Sequence, residues 1–226
     1  MFNKSLSRTT SITILGMFAA IIALLSATFL GFIPVPGLGS ATTLHIPVIV
    51  ASLMLGPKYG AVVGFMFGVA SVVRTTVMPV VSSFVFSPFI PVYGTDRGSP
   101  FALVVAFVPR IILGILPWFL YKGIKRLTTD HFMIINLAVT GVISSIMHTL
   151  MVMHLWYFFF RNPWAIARGR GELVADMYAV VLFIISTAGL AEAIVAGVLV
   201  PAICFALYIV LRRSFGFSPR ISGANK

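Results

Sequence analysis

Arg110 is the residue to account for first. It lies midway along Phe101 to Tyr121, FALVVAFVPRIILGILPWFLY, a stretch otherwise free of charge and long enough to cross a bilayer. An arginine at that depth costs about 2.5–3.5 kcal/mol on insertion scales, so such a side chain faces a partner, a cavity or a ligand rather than lipid. Two chemistries suit it. An ion pair with Glu192, the acidic residue of another apolar run, would tie two helices together; alternatively, the planar guanidinium would capture an anionic solute. The residues alone leave both open. Pro109, immediately before the arginine, frees a carbonyl one turn earlier and bends a helix around a cavity.

Few other strongly polar side chains interrupt the apolar runs: His148, His154 and Asn136, with His45 and Arg74 near run ends. His148-Thr149 offers hydrogen-bonding groups either to the bundle or to a ligand. His154, beside Trp156 and Tyr157, reads as part of an interfacial aromatic belt. His45 suits either closing a site or facing water at a helix end. Arg161, Arg168 and Arg170 flank Trp164 and suit lipid headgroups, or capture of an anionic solute. The sequence contains no G-x-x-x-x-G-K-[ST] phosphate loop, no H-E-x-x-H and no G-x-S-x-G, and its four histidines lack a zinc spacing. No catalytic residues, metal ligands or cofactor are therefore assigned; an intramembrane enzyme stays open but unsupported, and without a phosphate loop the chain is not expected to hydrolyse ATP by itself. The expectation of a binding subunit rather than an enzyme comes with the resemblance below.

Composition sets the elements that position these residues. Hydrophobic residues make up 59% of the 226 and charged residues 9%, with a mean hydropathy of +1.07, where a soluble domain carries about 25% charged residues. This is a multi-pass membrane protein forming one membrane-embedded domain over residues 1–226, with a flexible polar tail from about 218 to 226. Its net charge of +11 is spread over loops and tails, which marks topology and headgroup contact rather than nucleic-acid binding. Cys204, the sole cysteine, lies in an apolar run and reads as a small core residue.

Uncharged runs at about 11–33, 41–57, 59–73, 101–121, 132–160 and 177–211, Arg110 and Glu192 aside, predict six transmembrane helices and an all-α fold. Residues 75–95 carry Pro79, Pro88 and Pro91 and read as a non-helical loop tucked against the protein. With six spans and both termini cytoplasmic, ten bases fall inside (Lys4, Arg8, Lys58, Lys122, Lys125, Arg126, Arg212, Arg213, Arg220, Lys226) and five outside (Arg74, Arg97, Arg161, Arg168, Arg170). A seventh span would erase that bias. Gly56-Pro57-Lys58-Tyr59-Gly60 reads as the turn of a helical hairpin, and the last run is expected to be tilted or broken near Gly189. The outer segments Gly31 to Thr43 and Thr75 to Pro100 are long enough to be lids over a pocket. In the first helix, Gly16/Ala20 and Ala19/Ala23/Ala27 form small-residue faces that suit close approach of another helix, whether within the chain or from a partner.

The order of several motifs is more specific than any one of them. Thr43-Leu-His-Ile-Pro-Val-Ile-Val, Leu55-Gly-Pro-Lys-Tyr-Gly-Ala, Gly64-Phe-Met-Phe-Gly68, Phe86-Ser-Pro-Phe, Val108-Pro-Arg-Ile-Ile-Leu-Gly114 and Ala191-Glu-Ala-Ile-Val together resemble the S components of energy-coupling factor (ECF) vitamin transporters, and most closely the pantothenate branch, some members of which are assigned to hydroxymethylpyrimidine. The resemblance implies a substrate-binding subunit in a prokaryotic plasma membrane. It implies a vitamin pocket beneath outer loops and two sets of partners, a transmembrane coupling protein and two cytoplasmic ATPases. It assigns Arg110 to the pantothenate carboxylate, His148, Thr149 and His45 to its hydroxyl or amide groups, and Gly16, Ala19, Ala20 and Ala23 to the coupling-protein interface. His148-Thr149 replaces the asparagine–threonine pair common among relatives, and Thr187-Ala-Gly-Leu-Ala-Glu-Ala replaces Asn-Gly-Ile-Pro-Glu-Ala, which leaves a neutral pyrimidine precursor as the alternative substrate. An ion-gradient transporter cycling protons or ions through Arg110 and Glu192 is the alternative of a different class.

Overall fold

The computed structural model describes residues 8–35, 39–128, 132–167 and 176–215. The chain runs up and down a helical bundle. Helix α1 (Arg8–Ala27) leads into a short hairpin of β1 (Phe32–Val35) and β2 (Gly39–Thr42). Helices α2 (His45–Leu55), α3 (Pro57–Val77), α4 (Phe101–Leu127) and α5 (Met133–Ala167) follow, and the last arm runs through α6 (Asp176–Ile184), a π-helical turn (Ile185–Gly189) and α7 (Leu190–Phe215). Among the described residues, five helical stretches are long and apolar enough to cross a membrane: Thr9–Ala27, Pro57–Val77, Phe101–Leu127, Met133–Ala167 and Met177–Val210.

The second of the six expected spans is different. Helix α2 has 11 residues, all buried, and at 1.5 Å per residue it reaches only about 16 Å, half a hydrocarbon core. Its run is apolar because it is wrapped by protein: it packs on α1, α3, α4, α5 and α7. Gly56, at φ +97°, closes the turn into α3, and Pro57 begins the new helix without forfeiting a hydrogen bond.

The segment from Met78 to Pro100 is irregular apart from a 3-10 turn at Ser83–Val85, in agreement with its prolines. It is nonetheless packed: Phe84, Val85 and Val92 join Trp156, Phe160, Trp164, Met177 and Val181 in a core cluster at the hairpin end of the bundle. Trp164 therefore lies within α5 and is buried, not out in a loop at the headgroups. The segment expected to be an irregular lid over Gly31 to Thr43 contains instead an antiparallel pair in the register Phe32↔Thr42 to Val35↔Gly39. The expected break near Gly189 is a π-helical turn in a continuous helical arm.

Helices α3 and α4 approach most closely. A Cβ on Gly64 would lie 2.1 Å from the Arg110 carbonyl oxygen, and Cβ atoms on Gly60 or Gly114 would lie 2.0–2.1 Å from each other's carbonyl. Glycines four residues apart thus let two backbones touch where every larger residue would hold them apart. Helix α1 has the opposite character. Gly16, Ala20 and Ala23 are exposed, Ala19 is half-buried, and nothing lies within 4 Å of a Cβ added at Gly16. The polar tail after Phe215 lies outside the described residues.

Candidate ligand-binding site

Arg110 is placed by its own helix. Pro109 has no amide hydrogen, so the Val105 carbonyl one turn earlier lacks its helical donor, and the Arg110 guanidinium donates to that oxygen instead. Gly64 pressed on the Arg110 backbone fixes the helix at the same height. The guanidinium carbon then sits 5.3 Å from the Phe67 ring centroid and 5.1 Å from that of Phe86. Two aromatic faces hold the cation flat without neutralising it. Phe86 is aimed by the turn before it: Val80 N–H donates to the Ser83 hydroxyl at 2.8 Å, and Thr76 and Ser87 hydroxyls meet at 2.7 Å.

Beside Arg110 lies a cavity of about 120 Å³, enough for a small organic molecule by comparison with the roughly 10–15 Å³ a single water needs. Arg110, His148, Thr149 and Glu192 line it together. His45 does not. Its ring stacks beneath that of His148 at 6.3 Å between centroids and 18° between planes, while the Ser145 hydroxyl lies 3.3 Å from its Nε2. His45 therefore supports a wall residue. His154 is exposed, with Nδ1 2.7 Å from the Leu150 carbonyl oxygen, and takes no part.

The direct Arg110–Glu192 pair is not made. Glu192 Oε1 accepts from the Thr42 amide at 2.6 Å and Oε2 from the Thr149 hydroxyl at 3.0 Å. The cavity thus presents a guanidinium and a carboxylate on separate walls. Four lining residues also keep a buried polar atom without a protein partner: Arg110 Nε, His148 Nε2, Ser71 Oγ and Trp156 Nε1. Buried polar groups are nearly always satisfied, so four together around one cavity make it a candidate site whose hydrogen bonding a polar ligand would complete. Three of the four sites carry a certain donor hydrogen, which favours an acceptor-rich ligand.

Several lining residues had gone unassigned. Ser71 and Thr75 continue the face of Gly64 and Gly68 at spacings of three and four, so the sequence did contain their signal: glycines where the helices touch, hydroxyls where they part. Trp156 lies seven residues beyond Thr149, on the same face of α5, and packs edge-on to Phe86 and Trp164 instead of joining a headgroup belt. Thr42 and Phe32, on the hairpin, had no periodic signal.

Comparison with known proteins bears on what this cavity serves. The profile of the family described as "ECF transporter, substrate-specific component" matches residues 10–204. The chain belongs to that family. It is also 34% identical over 207 residues to the "Pantothenic acid transporter PanT" of Lactococcus lactis subsp. cremoris (strain MG1363), covering 89% of this chain and 95% of that protein. The chain is therefore a multi-pass cell-membrane transport subunit of the ECF type, and the cavity between its hairpin and helices α3, α4, α5 and α7 is where such a component has room for a solute.

Proposed function

We propose that this S component captures pantothenate and delivers it to an ATP-driven importer. The observation that carries the reading is the half-engaged Arg110: one guanidinium nitrogen is spent on Val105, while Nε stays buried without a partner at the cavity wall. A carboxylate is the complement of such a fork, and the relative named for pantothenic acid covers nearly the whole chain. Pantothenate adds an amide and two hydroxyls to its carboxylate. Ser71, His148, Thr149 and Trp156 supply groups for these, and Val152, Phe32 and Ile184 supply apolar surface.

Entry is from the outer side, beneath the hairpin and the Met78 to Pro100 segment, with both termini in the cytoplasm. The exposed Gly16, Ala20 and Ala23, with Ala19 at the edge, form the docking face for a transmembrane coupling protein, and two ATPase subunits on the cytoplasmic side supply the energy. Open space above Gly16 supports this assignment, because small residues exposed on a membrane helix leave a groove that another helix fills.

Calorimetric titration of the purified chain with pantothenate tests the reading. Arg110→Ala is expected to weaken binding at least ~100-fold, the size of effect seen when one partner of a buried charge pair is removed, with little change in thermal midpoint. Arg110→Lys is expected not to restore it, since an ammonium cannot both hold Val105 and fork onto a carboxylate. Failure of the wild-type chain to bind pantothenate, with binding of hydroxymethylpyrimidine instead, overturns the substrate and returns Arg110 to a structural role.

A further inference from the structure

The hairpin over the cavity has a single described polar tie to the opposite wall, and that tie is Glu192. Strand β2 is an edge strand. Thr42 pairs with Phe32 in register, yet its amide hydrogen goes to the carboxylate of α7, not across the ladder. Other hydrogen bonds around it stay at the hairpin's own base: the Thr43 amide and Thr42 hydroxyl donate to the Gly31 carbonyl, the Thr43 hydroxyl to the Leu30 carbonyl, and the Leu44 amide to the Thr42 hydroxyl. These fix the hinge, not the position of the strands over the cavity. On the other side, the ring of Phe32, which lines the cavity, lies 6.0 Å below the guanidinium carbon of Arg74.

Glu192 is built to serve as such a tie. The π-helical turn Ile185–Gly189 immediately precedes α7 and offsets the face that the arm presents there. The second carboxylate oxygen is anchored by Thr149, itself a wall residue. One side chain therefore joins lid, wall and cavity, and an edge amide that apolar surroundings would otherwise leave unsatisfied gains a charged acceptor.

We propose that Glu192 is the positioning residue that latches the paired strands β1 and β2 over the cavity through Thr42, and that release of this latch sets how fast bound ligand escapes. Opening must break the bond to Thr42, while the bond to Thr149 keeps the carboxylate in place for re-closure. The escape half of this statement rests on the pantothenate reading; the latch itself does not.

Hydrogen exchange of the full-length chain, without ligand, tests the latch on peptides covering Phe32 to Leu44. Glu192→Ala is expected to speed their exchange roughly 10- to 100-fold, the equivalent of a lost hydrogen bond to a charged group, while α3 and α4 keep their protection. Glu192→Gln retains a carbonyl oxygen for the Thr42 amide and is expected to recover most of the protection. Stopped-flow pantothenate release is expected to accelerate in Glu192→Ala by a similar factor, with association changed far less, and to be rescued by Glu192→Gln. Unchanged hairpin exchange in Glu192→Ala overturns the latch, and so does an equal loss of protection throughout the bundle, which would make Glu192 a general packing residue. Faster exchange with no pantothenate binding in any version, wild type included, leaves the latch standing and overturns the substrate.

Discussion

The two walls of the cavity are made in different ways. The α3–α4 wall is backbone against backbone, with Gly60, Gly64 and Gly114 allowing contacts that leave no room for a methyl group, and it carries the cation. The opposite wall is assembled from a two-stranded hairpin, a π-helical turn and side-chain bonds through Glu192 and Thr149, and it carries the carboxylate. Close-packed backbones have one arrangement and repack at high cost, whereas a strand held by a side-chain hydrogen bond has an open alternative nearby. The difference suits the proposed capture: a fixed positive end for an anion, and a latched wall whose release would admit it.

Breaking the fixed wall should have the largest effect. Gly64→Val drives a branched side chain into the Arg110 carbonyl, a backbone atom that cannot rotate away. The helices must separate, and a cost of about 3 kcal/mol or more is expected, at or above the upper end for overpacked cores. A sharply lower thermal midpoint with pantothenate binding lost is the outcome to look for. A variant that keeps wild-type stability would mean that the α3–α4 contact is looser than these distances imply.

The fixed wall was also the legible one. A charge within FALVVAFVPRIILGILPWFLY, a proline just before it, and the Gly56-Pro57 turn each have a local physical meaning that survives without a structure. The movable wall was hidden for equally physical reasons. The hairpin strands, FIPV and GSAT, have no alternating pattern, and a π-helical turn widens one turn of a helix without a distinctive composition. Helix α2 is where hydropathy says least, because it does not distinguish burial in protein from burial in lipid, and all 11 of its residues are buried. The Arg110–Glu192 pair was a matter of distance alone, which no spacing in one chain supplies. His45 lies one layer behind the cavity wall, its ring stacked beneath that of His148, a depth that spacing along the chain does not give.

A smaller perturbation probes how finely the movable wall is set. A Cβ on Gly189 would lie 2.9 Å from Thr149 Cγ2, the methyl end of a side chain that can turn. Gly189→Ala is therefore expected to leave stability nearly unchanged but to rotate Thr149 off Glu192, weakening pantothenate binding roughly three- to tenfold, about the worth of one net hydrogen bond. Thr149→Ser removes the offending methyl while keeping the hydroxyl. The double variant should bind better than Gly189→Ala alone, and the coupling between the two sites, read from a double-mutant cycle, should be about 1 kcal/mol. Strict additivity would mean that Thr149 is not the residue through which Gly189 acts.

The smallest effect on the cavity is expected from Gly16→Leu, and for that reason it separates the site from the proposed docking face. Open space around Gly16 accepts a leucine without a clash, and leucine is a better helix former than glycine by several tenths of a kcal/mol. The isolated chain should thus bind pantothenate as before and be no less stable. A helix of the coupling protein lying against Gly16 and Ala20 would instead meet a bulky side chain where it needs close approach. Uptake by the assembled transporter should fall several-fold with the ligand affinity of the free subunit intact. Loss of ligand binding in the free subunit would place Gly16 in the chain's own packing, and undiminished uptake would move the coupling surface to another face, since a leucine there can be tolerated only if nothing has to come close.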